Sequence, residues 1–339
     1  MEVFKLHSRY YYIGLSEKNR RLYKSIYYPW SQGASEVTIT LPGTKFEAYD
    51  NRSLHDIVQF VIEDNPQLFH LETSQIFYSR TGTKVVIHAD PVYSPQEYRD
   101  IYEKLNKTVR RILKAPELSG DFLQRVLYLH DYLAGEITYF RGNSDTRSQR
   151  EIHTIVGALL NRACVCDGYS RAFRLLCDMS RISCIVVSGT AVSDGKRENH
   201  AWNVVKNQGK KYHIDVTWDS NSSCEDPIPH IYCLRSDQFF QRDHFWDQNK
   251  IPRCNEEIDF PGEIRLQHLN DLEMRLDNVV KMKRTDVTIH LPTTSTLSSN
   301  QKTVSDALQA VANRNPCVLN WRIYTYDTQP CILLQIHYI

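Results

Sequence analysis

The chain lacks an apolar run of the roughly 18 residues that a membrane-spanning helix needs. It also lacks charge of one sign: Lys plus Arg number 41, Asp plus Glu 40. With no basic run longer than a few residues, this balance argues against a general role on nucleic acid or anionic membranes. The start, Met1 to His7, has no basic region followed by an apolar core. No secretory leader is visible, so the expected location is cytoplasmic, with export left open for a trimmed chain. The nine cysteines are odd in number and follow no framework, which fits reduced thiols better than disulfides. There is no calcium loop and no cofactor motif, so no cofactor is expected. Tyr10, Tyr11, Tyr12, Tyr27 and Tyr28 cluster without a basic stripe, and packing explains them better than base stacking.

What the sequence does hold is concentrated between Cys166 and Asp219. After Cys166, the residues Tyr169, Ala172, Phe173, Leu176 and Cys177 recur at three- and four-residue intervals. That spacing predicts an α-helix with one apolar stripe, Arg171 and Arg174 falling outside it. Cys166 then lies at the helix N-terminus, where unpaired N–H groups and the helix dipole favour an anion. The thiolate is the reactive form of cysteine. The same N–H groups suit the oxyanion of an acyl-transfer intermediate.

Two strands are predicted next, Asn199 to Lys206 and Lys211 to Trp218, joined by the turn-rich Asn207-Gln208-Gly209-Lys210. Pairing Lys206 with Lys211 puts His200 opposite Thr217 and Trp202 opposite Asp215. His200 and Asp215 become diagonal neighbours on one face, with Cβ atoms about 7–8 Å apart. An imidazole oriented by a carboxylate, near a cysteine, is the logic of a nucleophilic triad.

The segments Val165-Cys166-Asp167-Gly168-Tyr169, His200-Ala201-Trp202-Asn203 and Ile214-Asp215-Val216-Thr217-Trp218-Asp219 resemble the transglutaminase-like superfamily, its bacterial branch more closely. The resemblance covers roughly residues 120 to 254. It implies a papain-like α+β core with Cys166 as nucleophile, His200 as general base and acid, and Asp215 as the orienting carboxylate. The implied reaction is attack of the Cys166 thiolate on a peptide or side-chain amide. Water as acceptor of the thioester makes a protease, amidase or deamidase; a lysine amine makes a transglutaminase. The expected partner is therefore a protein or peptide substrate. Two other classes remain: a binding or scaffold protein that keeps the fold with a closed cleft, and a redox protein using Cys164 and Cys166. A Cys164–Cys166 disulfide would close a tight, strained ring.

Cys164, Cys166 and His200 also raise the question of zinc. Structural zinc sites more often pair cysteines two residues apart and use a second pair, which is missing here. Cys164 reads as a small packing residue, or at best a redox partner. Trp202 reads equally as cleft wall or core. Tyr139 is expected to be a packed aromatic rather than part of the cleft. Asp167, Asn203 and Asp219 are expected to fix turns and strand ends. The resemblance puts His244 near the site, but a surface histidine is the preferred reading.

Outside this region the chain repeats itself. Val37-Thr38-Ile39 and Leu41-Pro42 match Val287-Thr288-Ile289 and Leu291-Pro292. Asp56, Gln59, Val61 and Asn65-Pro66 match Asp306, Gln309, Val311 and Asn315-Pro316 at the same offset. Each copy reads as a small β-α-β-β module. The helices are expected over 53–64 and 303–314. The closing strands are expected over 75–80, 84–89, 321–326 and 332–338. The copies are expected to pair, as a lid, a substrate platform or a brace. Further helices are expected over 16–28, 94–115, 120–135, 148–161 and 264–282, with a flexible loop from Arg141 to Asp145 and a linker from Pro252 to Glu263. The fold expectation is thus α+β, with a transglutaminase-like core at 93–254 between modules at 1–92 and 255–339.

Overall fold

The computed structural model describes residues 4, 6–40, 51–142, 146–193, 195–220, 228–260, 263–266, 268–291, 297–325 and 331–339. Cys224, Tyr326 and the stretch Asn143 to Asp145 of the expected loop lie outside the described residues.

Alternating apolar residues build the first module. Val37 and Ile39 turn inward from the strand Glu36–Thr40, and Val85, Ile87 and Ala89 from Lys84–Pro91. The two strands pair antiparallel, Val37 opposite Ile87. Leu71–Thr81 forms the far edge, so the strand order is first, third, second. The helix Asn51–Asp64 covers this sheet with Leu54, Ile57, Val58, Val61 and Ile62, at helical spacing. A helix at Glu17–Ser31 adds Leu22, Ile26 and Trp30 to the same core, and the Asn19 N–H donates to the cap, Ser16 Oγ.

The other end of the chain has the same topology. Asp286–His290 pairs antiparallel with Cys331–Tyr338, Val318–Thr325 forms the edge, and the helix Leu297–Arg314 connects them. Buried positions coincide: Val37 with Val287, Ile39 with Ile289, Leu54 with Val304, Val58 with Leu308, Val61 with Val311. The likeness reaches further back than the sequence identities do. Leu22, Ile26 and Trp30 correspond to the buried Leu272, Leu276 and Val280 of the helix Leu272–Lys281. After each helix comes a residue with positive φ, Gly33 at 93° and Lys283 at 50°.

The two copies do not pair with one another; their sheets are separate. One reason is visible at the edge of the second. Glu263–Arg265, expected as the end of the linker and the start of the helix over 264–282, is instead a strand parallel to Asp286–His290 and covers that edge. Each module docks on the central unit. Asp64 accepts the N–H groups of Tyr11 and Tyr12, and the Tyr11 hydroxyl donates to the Val186 carbonyl. Lys250 Nζ lies 2.8 Å from Asp56. Buried Arg235 pairs with buried Glu263.

The central unit packs helices against a four-stranded antiparallel sheet. The strand order is Lys210–Ile214, Lys196–Asn207, Ser183–Ser193, His244–Phe245. The helix Pro95–Ile112 starts at a capping box of Ser94 and Glu97, and Phe122–Glu136 at one of Asp121 and Gln124. The helix Cys166–Met179 lies on the sheet with Tyr169, Phe173, Leu176 and Cys177 buried. Arg171 and Arg174, expected outside its apolar stripe, are buried as well. Arg174 donates to Asp178 and to the Ser8 carbonyl, and Arg171 to Thr73 and the His153 carbonyl. The amino-terminal segment thus covers a helix face that spacing alone assigned to water.

The helix expected over 148–161 is broken. It runs Thr146–Glu151, stops, and ends in one wide turn, Gly157–Asn161. Thr154 causes part of the break, its hydroxyl donating to the Glu151 carbonyl and accepting the Val156 N–H. Arg162 follows in the left-handed region, φ 55°. Among the described residues no helix is long and apolar enough to cross a membrane.

Candidate active site

Cys166 is the first residue of its helix, and extended Val165 is the cap. The Val165 N–H donates to the Ile152 carbonyl, which fixes the entry of the chain. Gly168 lets the first turn sit close to this entry. A Cβ there would stand 2.5 Å from Cys164 Cβ and 2.7 Å from the Ile152 carbonyl oxygen. Cys164 is buried in this contact, and burial pushes its thiol up. It is the packing residue expected.

The hairpin keeps the expected register, Lys206 opposite Lys211 and Asn203 opposite Ile214. Gln208 and Gly209 turn it, both with positive φ. The second strand is shorter than expected and stops at Ile214. Asp215 ends it, because its Oδ1 accepts the N–H groups of Thr217 and Trp218 and bends the chain. The Asp215 carboxylate therefore turns back toward the neighbouring strand. His200 Nε2 donates to Asp215 Oδ2 at 2.6 Å, both side chains being buried. The Cys166 sulfur is close enough to His200 to act on its charge. Since Nε2 is taken by Asp215, Nδ1 is the nitrogen left for the sulfur. The structure thus brings Cys166, His200 and Asp215 together.

Burial opposes a charge on His200, but the Asp215 carboxylate, with its hydrogen bond, and the Cys166 sulfur outweigh it. The ring is pushed up to about 9. Burial works against Asp215 too, and His200 and His244 hold its carboxyl well below the usual range. Both shifts favour an imidazolium beside a carboxylate.

Trp202 is both core and site wall. It is buried, its Nε1 donates to His213 Nδ1 at 3.0 Å, and its ring lies 6.1 Å from His200 at 21°. Tyr139 is not the packed aromatic expected. It sits on Thr138–Tyr139, paired parallel with Ala163–Cys164, and is 38% exposed. Burial, then the Coulombic influence of Cys166, raises its hydroxyl to about 12. Tyr139 is thus an exposed aromatic within electrostatic range of Cys166.

His244 is the larger correction. It is fully buried, and its Nε2 lies 3.1 Å from Asp215 Oδ2. The surface is the reading preferred from sequence, but a two-residue strand folds it under Asp215. Asp167, Asn203 and Asp219, expected to fix local turns and strand ends, instead tie together segments far apart in sequence. Asp167 accepts from His153, Asn203 donates to the Ser170 and Ile185 carbonyls, and buried Asp219 lies 3.1 Å from His130. The residues missed from sequence are His130 and His213, each buried and paired with an aspartate. Among the described residues, side chains of kinds able to ligate a metal come within 4.8 Å of one another in three groups: His130, Asp131 and His230; His200, Asp215 and His244; His213, Asp237 and Cys254. In each, hydrogen bonds within the group already use the imidazoles.

The sequence model of the transglutaminase-like superfamily core matches residues 106–216, a span that includes Cys166, His200 and Asp215. Among curated proteins, the chain is 30% identical over 96 residues to kyphoscoliosis peptidase of Mus musculus and of Homo sapiens. Each match covers 24% of this chain and 14% of the relative, so the chain spans a small part of those relatives' length. Among solved structures, a TGase is 12% identical with a TM-score of 0.32, covering 69% of this chain and 59% of that one.

Proposed function

With residues 106–216 carrying a transglutaminase-like core, we propose that this protein is a thiol acyl-transfer enzyme acting on peptide or side-chain amide bonds. The observation that carries the reading is the connected set of Cys166, His200 and Asp215 at a helix N-terminus.

In this reading the Cys166 sulfur attacks the amide carbonyl carbon. The helix N-terminus favours sulfur as the anion, and its free N–H groups face the oxyanion that forms. His200 is protonated at neutral pH, so the proton needed by the departing amine is already on the ring. The C–N bond breaks, the amine leaves with that proton, and a thioester to Cys166 remains. Water or a second amine then attacks the thioester, giving its proton to His200 and releasing the thiolate. Asp215 keeps the ring oriented through both steps. In the same reading Tyr139, exposed and within electrostatic range of the sulfur, forms one wall of the acyl site.

The test is trapping of the acyl-enzyme. The native chain is incubated with glutamine-containing peptides, with and without a fluorescent primary amine, and intact mass is followed. A peptide adduct on Cys166 that hydroxylamine removes, and that Cys166→Ala and His200→Ala lack, supports the reading. Transfer to the amine points to crosslinking, release as acid to hydrolysis. An unmodified Cys166, alkylated by iodoacetamide no faster than in His200→Ala, would sink it.

A further inference from the structure

The inference rests on the roles just given to Cys166, His200 and Asp215, and concerns a fourth side chain joined to them. His244 faces a carboxylate at each ring nitrogen: Nδ1 lies 2.5 Å from Asp243 Oδ1, and Nε2 lies 3.1 Å from Asp215 Oδ2. A neutral imidazole has one N–H and one bare lone pair. A lone pair turned to a carboxylate oxygen is repulsive, so both nitrogens here carry hydrogen and the ring is a cation. It is sealed from water by the rings of Trp202, Trp218, Tyr232 and Phe240, all within 5.5 Å. The ionisable groups around it are Asp215, Asp243, His200 with ring centres 5.4 Å apart, His213, and Tyr232, whose hydroxyl donates to Asp243 Oδ2.

Asp215 is correspondingly full. Its Oδ2 accepts from both His200 and His244, and its Oδ1 accepts two backbone N–H groups. The two imidazoles compete for one oxygen and one negative charge.

We propose that His244, held as an imidazolium by Asp243, is a positioning residue that divides the charge of Asp215 and so sets the basicity of His200. Asp215 alone would bind the His200 proton more tightly. With His244 present, His200 gives up its proton at lower pH and can serve both as acid and as base. Burial lowers the affinity of His244 for its proton, but its bonds to Asp215 and Asp243 raise it above the ordinary value overall.

The experiment is a ¹⁵N NMR titration of the full chain with labelled histidine, read without substrate. His200→Gln and His244→Gln assign the two rings. The expected native result is two protonated nitrogens on His244 at neutral pH, and a His200 midpoint near about 9. In His244→Gln, where the amide can still donate to Asp215 but the cation is gone, the His200 midpoint rises by about one pH unit. Asp243→Asn moves it the same way by a smaller amount. A bare nitrogen on native His244 at neutral pH overturns the proposal. So does a His200 midpoint that stays or falls in a natively folded His244→Gln. If that variant does not fold, the native His244 state and Asp243→Asn decide. Failure of the catalytic reading would show in Cys166 acylation instead and leave this titration intact.

Discussion

Asp215 holds His200 through a 2.6 Å hydrogen bond from a carboxylate that two backbone N–H groups pin in place. The direction of the imidazole is thus set by one tight turn, Asp215 to Asp219, rather than by the strand that carries it. Asp215→Asn keeps the shape and removes the charge. Burial, which lowers His200, then acts without its main opponent, and the ring becomes neutral at pH 7. Acylation of Cys166 by a responsive peptide should fall roughly 10³-fold or more. The pH profile should lose the limb near about 9 and gain one below the ordinary histidine value of 6.5. A fall of less than about tenfold with an unmoved profile contradicts the role given to Asp215.

Stability should depend on pH through the buried histidines. His200 and His130 are each raised to about 9 against an ordinary value of 6.5, carboxylates outweighing burial in both. A raised histidine stabilises the fold fully below its unfolded value, and that contribution is lost as pH rises through the folded value. Melting temperature should therefore decline between about pH 6.5 and 9, the pair together contributing on the order of a few kcal/mol. His130→Gln should flatten the decline as well as lower the melting temperature at pH 6. A melting temperature level across this window refutes the assignment of these two rings as buried cations.

The hairpin was readable because its turn residues Gln208 and Gly209 fix the register, and the register fixes which residues meet. The repeat was readable because each module fills its core from the same positions, Val37 and Val287 among them. Other features carry no period. His244 reaches Asp215 from a strand of two residues, across 29 positions of sequence. The break after Glu151 depends in part on the Thr154 hydroxyl, while the apolar spacing around it stays helical. The docking of the modules depends on isolated pairs such as Lys250 with Asp56. Periodicity reports the faces of an element; it does not report which loop folds back over a face, and the site is completed by such loops.

One docking pair can be tested directly. Arg235 and Glu263 are buried, and Arg235 also donates to the carbonyls of His230, Ile231 and Ile258. Arg235→Met leaves the Glu263 charge buried without its main partner. The expected loss is about 3–5 kcal/mol in urea unfolding. Arg235→Met with Glu263→Leu should regain a large part of that loss. If the double variant is no more stable than Arg235→Met alone, the cost lies in the lost carbonyl contacts and not in the unpaired charge.

Gly168 gives the last prediction, because it ties the packing of the helix entry to the position of the nucleophile. A Cβ at this residue meets Cys164 Cβ at 2.5 Å and the Ile152 carbonyl oxygen at 2.7 Å. The carbonyl accepts the Val165 N–H, so it cannot retreat without moving the residue that precedes Cys166. Gly168→Ala should destabilise by about 1–3 kcal/mol, as overpacking does. The larger effect should fall on chemistry, since the first turn must shift relative to His200. An error of about 1 Å in placement can cost roughly 10²-fold. Adding Cys164→Gly removes one of the two clashes, so the double variant should recover stability in part. It should recover little reactivity, because the clash with the Ile152 carbonyl remains. Cys166 acylation and urea unfolding, measured on both variants, separate the two effects. Full reactivity in Gly168→Ala would mean that the nucleophile is not held by this turn.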